Sequence, residues 1–188
     1  LDPSPVSVCY AGMRVSLALC CAALFVLIAG GPAVADDMEE GWRAYVRGDF
    51  ARARELFVPL VEQGNARAMS VLANMYRFGD GVELDPDKSV QLYRRAASLG
   101  YVAAQYELAQ LYLVGFGVDQ SVVHALMWLT IALDQLGYEQ PVPDSGFSTR
   151  QPITEFRQNV VSQASFFELA QALDMAATCR KSKFTACE

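Results

Sequence analysis

Apolar residues recur at every fourth position in two stretches of this chain, Ala68-Leu72-Tyr76 and Ala104-Leu108-Tyr112. That spacing puts each trio on one face of an α-helix. Each stretch runs into two close glycines, Gly79/Gly81 and Gly115/Gly117, and then into a second apolar-patterned stretch. Asp85-Pro86 supplies an N-cap and a first-turn proline, predicting a second helix that runs to about Leu99 and ends at Gly100.

The two stretches are copies. Ala68 lies over Ala104, Leu72 over Leu108, Ala73 over Ala109, Tyr76 over Tyr112, Gly79 over Gly115 and Val82 over Val118, each pair 36 residues apart. Phe57, Tyr93 and Trp128 take equivalent places in the second helices, which close on Gly64, Gly100 and Gly137. Upstream, Tyr45 and Gly48 repeat the Tyr-x-x-Gly step with a shorter turn, where Asp49 caps the next helix. A phosphate cradle is the other reading of "YLVGFGVD" (112–119). It needs a third glycine, or a Lys-Ser or Lys-Thr pair, at a spacing the chain lacks. The glycines therefore mark joints between helices.

A helix hairpin of this kind cannot bury its apolar face alone; stacked neighbours build a continuous core, which is the logic of a solenoid. The unit resembles the Sel-one-like repeat (SLR), a branch of the tetratricopeptide superfamily. Its pattern is A-x-x-x-L-A-x-x-Y-x-x-G-x-G-V followed by A-x-x-W-x-x-x-A-A-x-x-G. Ala68 to Val82 and Ala104 to Val118 fit the first half; the second half is looser, with Tyr93 to Gly100 in one copy and Ala125, Trp128, Ala132 and Gly137 in the next. The resemblance covers about residues 38–137. It implies an all-α, right-handed superhelical solenoid of antiparallel helix hairpins.

The expected organisation is an N-terminal tetratricopeptide-like hairpin (38–64), two SLR repeats (66–100 and 102–137), a proline-rich loop (138–152) and a C-terminal capping element (153–188). In that last element a helix from Ile153 to about Ala164 precedes a capping box, Ser165 to Glu168. Phe166, Phe167, Ala170, Leu173 and Ala177 are the expected buried side of the final helix. Trp42 and Trp128 are expected in the packed interior.

Charge and the leading segment change the picture further. A net charge of −6 argues against a nucleic-acid partner, whose footprint is basic. Met13-Arg14, an apolar run from Val15 to Ala29, and Ala33-Val34-Ala35 before Asp36 have the layout of a secretory signal peptide. Met13 is the expected start and Ala35 the expected cleavage point, so residues 1–35 are set aside. Retention as an N-terminal membrane anchor is the alternative, and the run is short for a span of about 20 residues. Cys20 and Cys21 precede most of the apolar run, which argues against lipidation. The expected location is periplasmic or secreted. Of five cysteines, Cys179 and Cys187 alone follow Asp36, and in an oxidising compartment they form an expected disulfide.

Recognisable catalytic chemistry is missing from the sequence. A single histidine, His124, cannot make an HExxH site, and no Ser-x-x-Lys or Gly-x-Ser-x-Gly occurs. His124 falls near the start of a second helix, where a surface or cap-adjacent place is expected. Acidic pairs (Asp36-Asp37, Glu39-Glu40) and the arginines of the first hairpin (43, 47, 52, 54) read as solvated charge. No catalytic, cofactor or metal residues are assigned. Function is expected on the stacked first helices, which repeat families present as a groove. Arg67, Ser70, Asn74 and Arg77, with their counterparts Ala103, Tyr106, Gln110 and Leu113, lie away from the expected core. Tyr106 and Leu113 are unusual on a face that meets only water, so this strip is the expected contact for an unidentified protein or peptide partner. An envelope hydrolase or cell-wall-modifying enzyme that uses groove carboxylates is the alternative from a different class.

Overall fold

The computed structural model describes residues 33–136, 151–184 and 187. Asp37–Glu188 forms one compact unit, and the packing below lies within it. Among the described residues every regular element is an α-helix: α1 (Ala33–Val46), α2 (Phe50–Glu62), α3 (Ala66–Phe78), α4 (Pro86–Ser98), α5 (Val102–Val114), α6 (Val122–Leu136), α7 (Gln151–Gln163) and α8 (Phe166–Lys181). None is long and apolar enough to cross a membrane. Most of the expected leader, Gly137 and most of the proline-rich loop lie outside the described residues, while Ala33–Ala35 begin α1.

Local chemistry sets the ends of these helices. The Asp49 carboxylate accepts from Arg52 N–H, Asn65 Oδ1 from Ala68 N–H and Asp85 Oδ1 from Lys88 N–H, so three helices begin on side-chain caps. Ser165 and Glu168 form the reciprocal capping box at the start of α8. Helices α3 and α5 end on Gly79 and Gly115 in the left-handed conformation. The chain then turns back in the same way twice. Asp85 N–H donates to Tyr76 O (2.9 Å), and 36 residues later Ser121 N–H donates to Tyr112 O (2.8 Å).

The second glycine of each pair answers to a close approach. A Cβ on Gly81 would lie 2.5 Å from Phe50 Cβ, and one on Gly117 would lie 2.6 Å from the Pro86 carbonyl oxygen. Phe50 and Pro86 are themselves 36 residues apart, each the first residue of a second helix. Every long turn thus rests directly on the start of the preceding repeat's second helix.

One continuous core runs through the stack. Phe57, Tyr93 and Trp128 are fully or almost fully buried at the centres of α2, α4 and α6. Ala68 and Ala104 are inaccessible, as are Ala73 and Ala109, so neighbouring helices approach closely there. Both α7 and α8 pack against α6 and cover that end of the array. Arg157 Nε donates to Thr130 Oγ1 across the α7–α6 contact (3.3 Å), and Arg180 pairs with Asp134 across the α8–α6 contact.

Two expectations about the core are corrected. Trp42 is 38% exposed, stacked on Tyr45 with ring centroids 5.7 Å apart. The Tyr-x-x-Gly register equates Trp42 with Ala73 and Ala109, both fully buried. An indole cannot occupy a gap that fits a methyl group, so α1 buries Met38, Gly41 and Ala44 and leaves Trp42 to one side. In α8, Phe166 and Phe167 are 89% and 76% exposed, Ala170 and Leu173 are exposed and Ala177 is half-buried. The helix meets α6 through the small residues Ala172, Ala176 and Cys179, a stripe rotated from the expected one. The phenylalanines occupy the capping turn, ahead of that contact.

Candidate functional site

Helices α1, α3 and α5 are the first helices of three successive hairpins, and a strip of side chains crosses them. On α3, Arg67 and Asn74 are half-buried, and Ser70 is buried at 6% exposure. Ser70 on α3 and Ala103 on α5, the counterpart of Arg67, therefore lie behind the surface. Arg67 reaches back to α1, its guanidinium carbon 5.8 Å from the Trp42 ring centroid. This cation–π contact makes Trp42 an exposed aromatic at the edge of the strip. Sequence reasoning assigned Trp42 to the core; the signal that it stands where the other repeats have alanine was present but pointed the wrong way.

Arg77 and Glu107 join α3 to α5, with Nη1 2.7 Å from the carboxylate and both side chains 19% exposed. Burial raises the Glu107 carboxyl above its ordinary value, and the Arg77 charge and hydrogen bond only partly offset this. Glu107 escaped the sequence reading because its 36-residue counterpart is Val71, so the repeat pattern gave no cue. Asn74 is also committed: its Oδ1 accepts the Tyr93 hydroxyl at 2.6 Å. Desolvation pushes that phenol well above its usual range. Asn74 thus serves the core as well as the surface.

On α5, Tyr106, Gln110 and Leu113 are half-buried. Tyr106 packs edge-on against Phe156 of α7, ring centroids 5.3 Å apart. Its aromatic character is thereby accounted for in part by the C-terminal element. Two contacts link the three first helices, Arg67 with Trp42 from α3 to α1 and Arg77 with Glu107 from α3 to α5, while Asn74 and Tyr106 engage α4 and α7.

His124 lies in the first turn of α6, where its N–H donates to Ser121 Oγ (3.3 Å) and that oxygen sits 2.8 Å from Nδ1. It is cap-adjacent, as its place in the sequence suggested. Among the described residues no group of three or more His, Cys, Asp or Glu side chains gathers in a way that would hold a metal ion. Glu107 faces an arginine in place of the second carboxylate that glycosidase chemistry requires. At the C-terminus, Cys179 and Cys187 bring their sulfurs into bonding contact, with Cα atoms 4.5 Å apart.

Stacked α-hairpins with a repeated glycine joint and a strip across their first helices define an α-solenoid repeat protein. The particular repeat is the Sel1 repeat: its family model matches residues 66–101 and 102–135, so this chain carries two Sel1 repeats. Its fold is similar to that of c5321, described as a protective antigen present in uropathogenic Escherichia coli strains displaying an SLR fold. The TM-score is 0.66 at 23% identity, over 82% of this chain and 31% of that one. A Sel1 repeat protein from Oxalobacter formigenes is also similar, with a TM-score of 0.53 at 29% identity, over 73% of this chain and 98% of that one. Among curated proteins, chitin synthase regulatory factor 3 of Schizosaccharomyces pombe is 30% identical over 94 residues, half of this chain. The match spans 10% of that protein's length.

Proposed function

We propose that this chain is an exported, non-catalytic adaptor that holds an extended segment of a protein partner on the strip across α1, α3 and α5. The observation that carries the reading is the strip itself: Trp42 of α1 in contact with Arg67 of α3, and Arg77 of α3 paired with Glu107 of α5, with half-buried Gln110 and Leu113 further along α5. Tryptophan and arginine are the side chains that most often anchor protein interfaces, and amides suit a partner's backbone. Sel1 repeats serve protein–protein interaction, and the name of the yeast relative, a regulatory factor, fits a role without chemistry of its own. Export rests on the leader preceding Asp36 and on the paired cysteines after it.

The test is crosslinking and affinity capture of the tagged protein from its own envelope, beside a Trp42→Ala/Arg67→Ala/Gln110→Ala variant. These positions spare Asn74, which receives the Tyr93 hydroxyl, and Tyr106, which packs on Phe156. Loss of a specific partner with unchanged helicity supports the strip. Equal capture by both proteins refutes it. Intact mass of the captured chain reads export directly, since the proposal requires Asp36 as first residue and no free thiol.

A further inference from the structure

Helix α8 carries two apolar stripes, and the array covers one of them. Leu169, Ala172, Ala176 and Cys179 form the stripe that packs into the core. At 3.6 residues per turn, a second stripe of Phe166, Ala170, Leu173 and Ala177 lies about a third of a turn further round. Phe166 is 89% exposed and Leu173 43%, Ala170 is exposed and Ala177 half-buried. Phe167, 76% exposed, stands on the flank of this second stripe. Covering α6 explains the first stripe and leaves the second without a partner.

The second stripe advances by four, three and four residues, the alternation that keeps a seam facing another helix. Its sizes alternate too: large Phe166, small Ala170, large Leu173, small Ala177. Laid antiparallel on a copy of itself, about a two-fold axis between Gln171 and Ala172, the stripe sets Phe166 opposite Ala177 and Ala170 opposite Leu173. Every large side chain then meets a small one, and the symmetry makes each contact twice. A parallel copy would set ring on ring and leave alanine facing alanine. Charge favours the same direction. The first turn of α8 carries Glu168 and the last turn Arg180 and Lys181, so antiparallel copies bring unlike ends side by side and oppose the two helix dipoles.

We propose that the partner of this face is a second copy of the chain, docked α8 against α8 in antiparallel fashion, so that two solenoids join at their C-terminal helices. The area fits a reversible dimer. Two phenylalanines at 89% and 76% exposure bring roughly 300 Å² per copy, or roughly 600 Å² for the pair. Leu173 and the two alanines carry the total towards the roughly 1,000 Å² at which specific interfaces begin. No residue of the strip on α1, α3 and α5 takes part, so a dimer offers two strips at once to a partner that repeats its own binding segment.

The test is sedimentation equilibrium of the purified protein over a wide concentration series. The expected result is a monomer–dimer equilibrium with a dissociation constant on the order of 10 μM. Leu173→Ala leaves alanine facing alanine at two symmetric places and is expected to weaken the dimer about thirtyfold. Ala170→Leu sets leucine against leucine and is expected to weaken it about tenfold. Ala170→Leu/Leu173→Ala exchanges the two sizes, restores large against small, and is expected to return the dissociation constant to within about threefold of its starting value. Both positions are exposed, so urea midpoints at low concentration are expected to stay unchanged. A monomer at every concentration overturns the proposal. So does a dimer indifferent to Leu173→Ala, or one tightened by Ala170→Leu, which marks unspecific apolar adhesion. Binding of a strictly monomeric chain to phosphatidylglycerol vesicles, lost in Leu173→Ala, also overturns it and gives the stripe to a membrane surface. The Trp42→Ala/Arg67→Ala/Gln110→Ala variant is expected to dimerise normally, so this proposal and the strip reading fail separately.

Discussion

Gly117 rests on Pro86: a Cβ at Gly117 would stand 2.6 Å from the Pro86 carbonyl oxygen and 2.8 Å from its carbon. The glycine also has φ +68, which side-chain-bearing residues rarely adopt. Both constraints act on the joint between repeats, where the turn of one hairpin seats on the second helix of the one before. Backbone cannot retreat the way the end of a flexible side chain can.

Gly117→Ala is therefore expected to destabilise by about 2–5 kcal/mol, the sum of left-handed strain and overpacking. Gly48 provides the control, because it has φ +80 and nothing within 4 Å of a built Cβ. Gly48→Ala is expected to cost about 1–2 kcal/mol from conformation alone. Urea midpoints of both variants decide the matter. Equal losses would show that the contact with Pro86 relaxes freely and that the joint is set by conformation only.

Trp42 gives a second contrast. It is 38% exposed and bears on Tyr45 and Arg67, whereas Phe57 is fully buried. Trp42→Ala is expected to cost no more than about 1 kcal/mol, and Phe57→Ala about 3–5 kcal/mol. Thermal melts compare them. A Trp42→Ala loss as large as that at Phe57 would return the indole to the core.

The same residue shows how far the sequence could be read. The joints, the caps at Asp49 and Asp85, and the buried trio Phe57, Tyr93 and Trp128 were legible because copies 35 or 36 residues apart report the same physics more than once, and the Ser165 cap was legible from its own capping-box pattern. Trp42 was misplaced because the first hairpin has a shorter turn and substitutes a large ring where its copies hold alanine. Phe166 and Phe167 were misplaced for a related reason: a single unrepeated helix offers hydrophobicity without register, and small residues made the contact instead. At the strip, sequence spacing placed Arg67, Asn74, Tyr106 and Gln110 near the surface. It could not show that Asn74 holds Tyr93 or that Tyr106 leans on Phe156, since both contacts are made between helices whose relative rotation the chain does not spell out.

Cys179 is a fully buried residue of α8, and Cys187 closes a loop of sequence separation 8 onto it. Cross-linking so short a loop is expected to stabilise the oxidised protein by about 2–3 kcal/mol in the chain-entropy model. Cys187→Ser should lower the urea midpoint accordingly, and reductant should bring the unsubstituted protein to the same midpoint. No response to reductant would mean that the α8 contact through Ala172 and Ala176 holds the C-terminus unaided.

Glu107 supplies a pH signature with a definite sign. Burial raises its carboxyl above the ordinary value of 4.5, and Arg77 opposes this without cancelling it. The folded chain therefore binds a proton in a window just above pH 4.5 where the unfolded chain does not. Stability contributed by this group falls as pH rises through that window and is recovered on acidification. Glu107→Gln lacks the titration and keeps an amide oxygen facing Arg77. Relative to this variant, the unsubstituted protein is expected to gain stability as pH is lowered from 7 towards 4.5, read as the difference in urea midpoints. If that difference moves the other way, the attraction between Arg77 and Glu107 outweighs the cost of burying the carboxylate. The pair would then tie α3 to α5 most firmly at neutral pH.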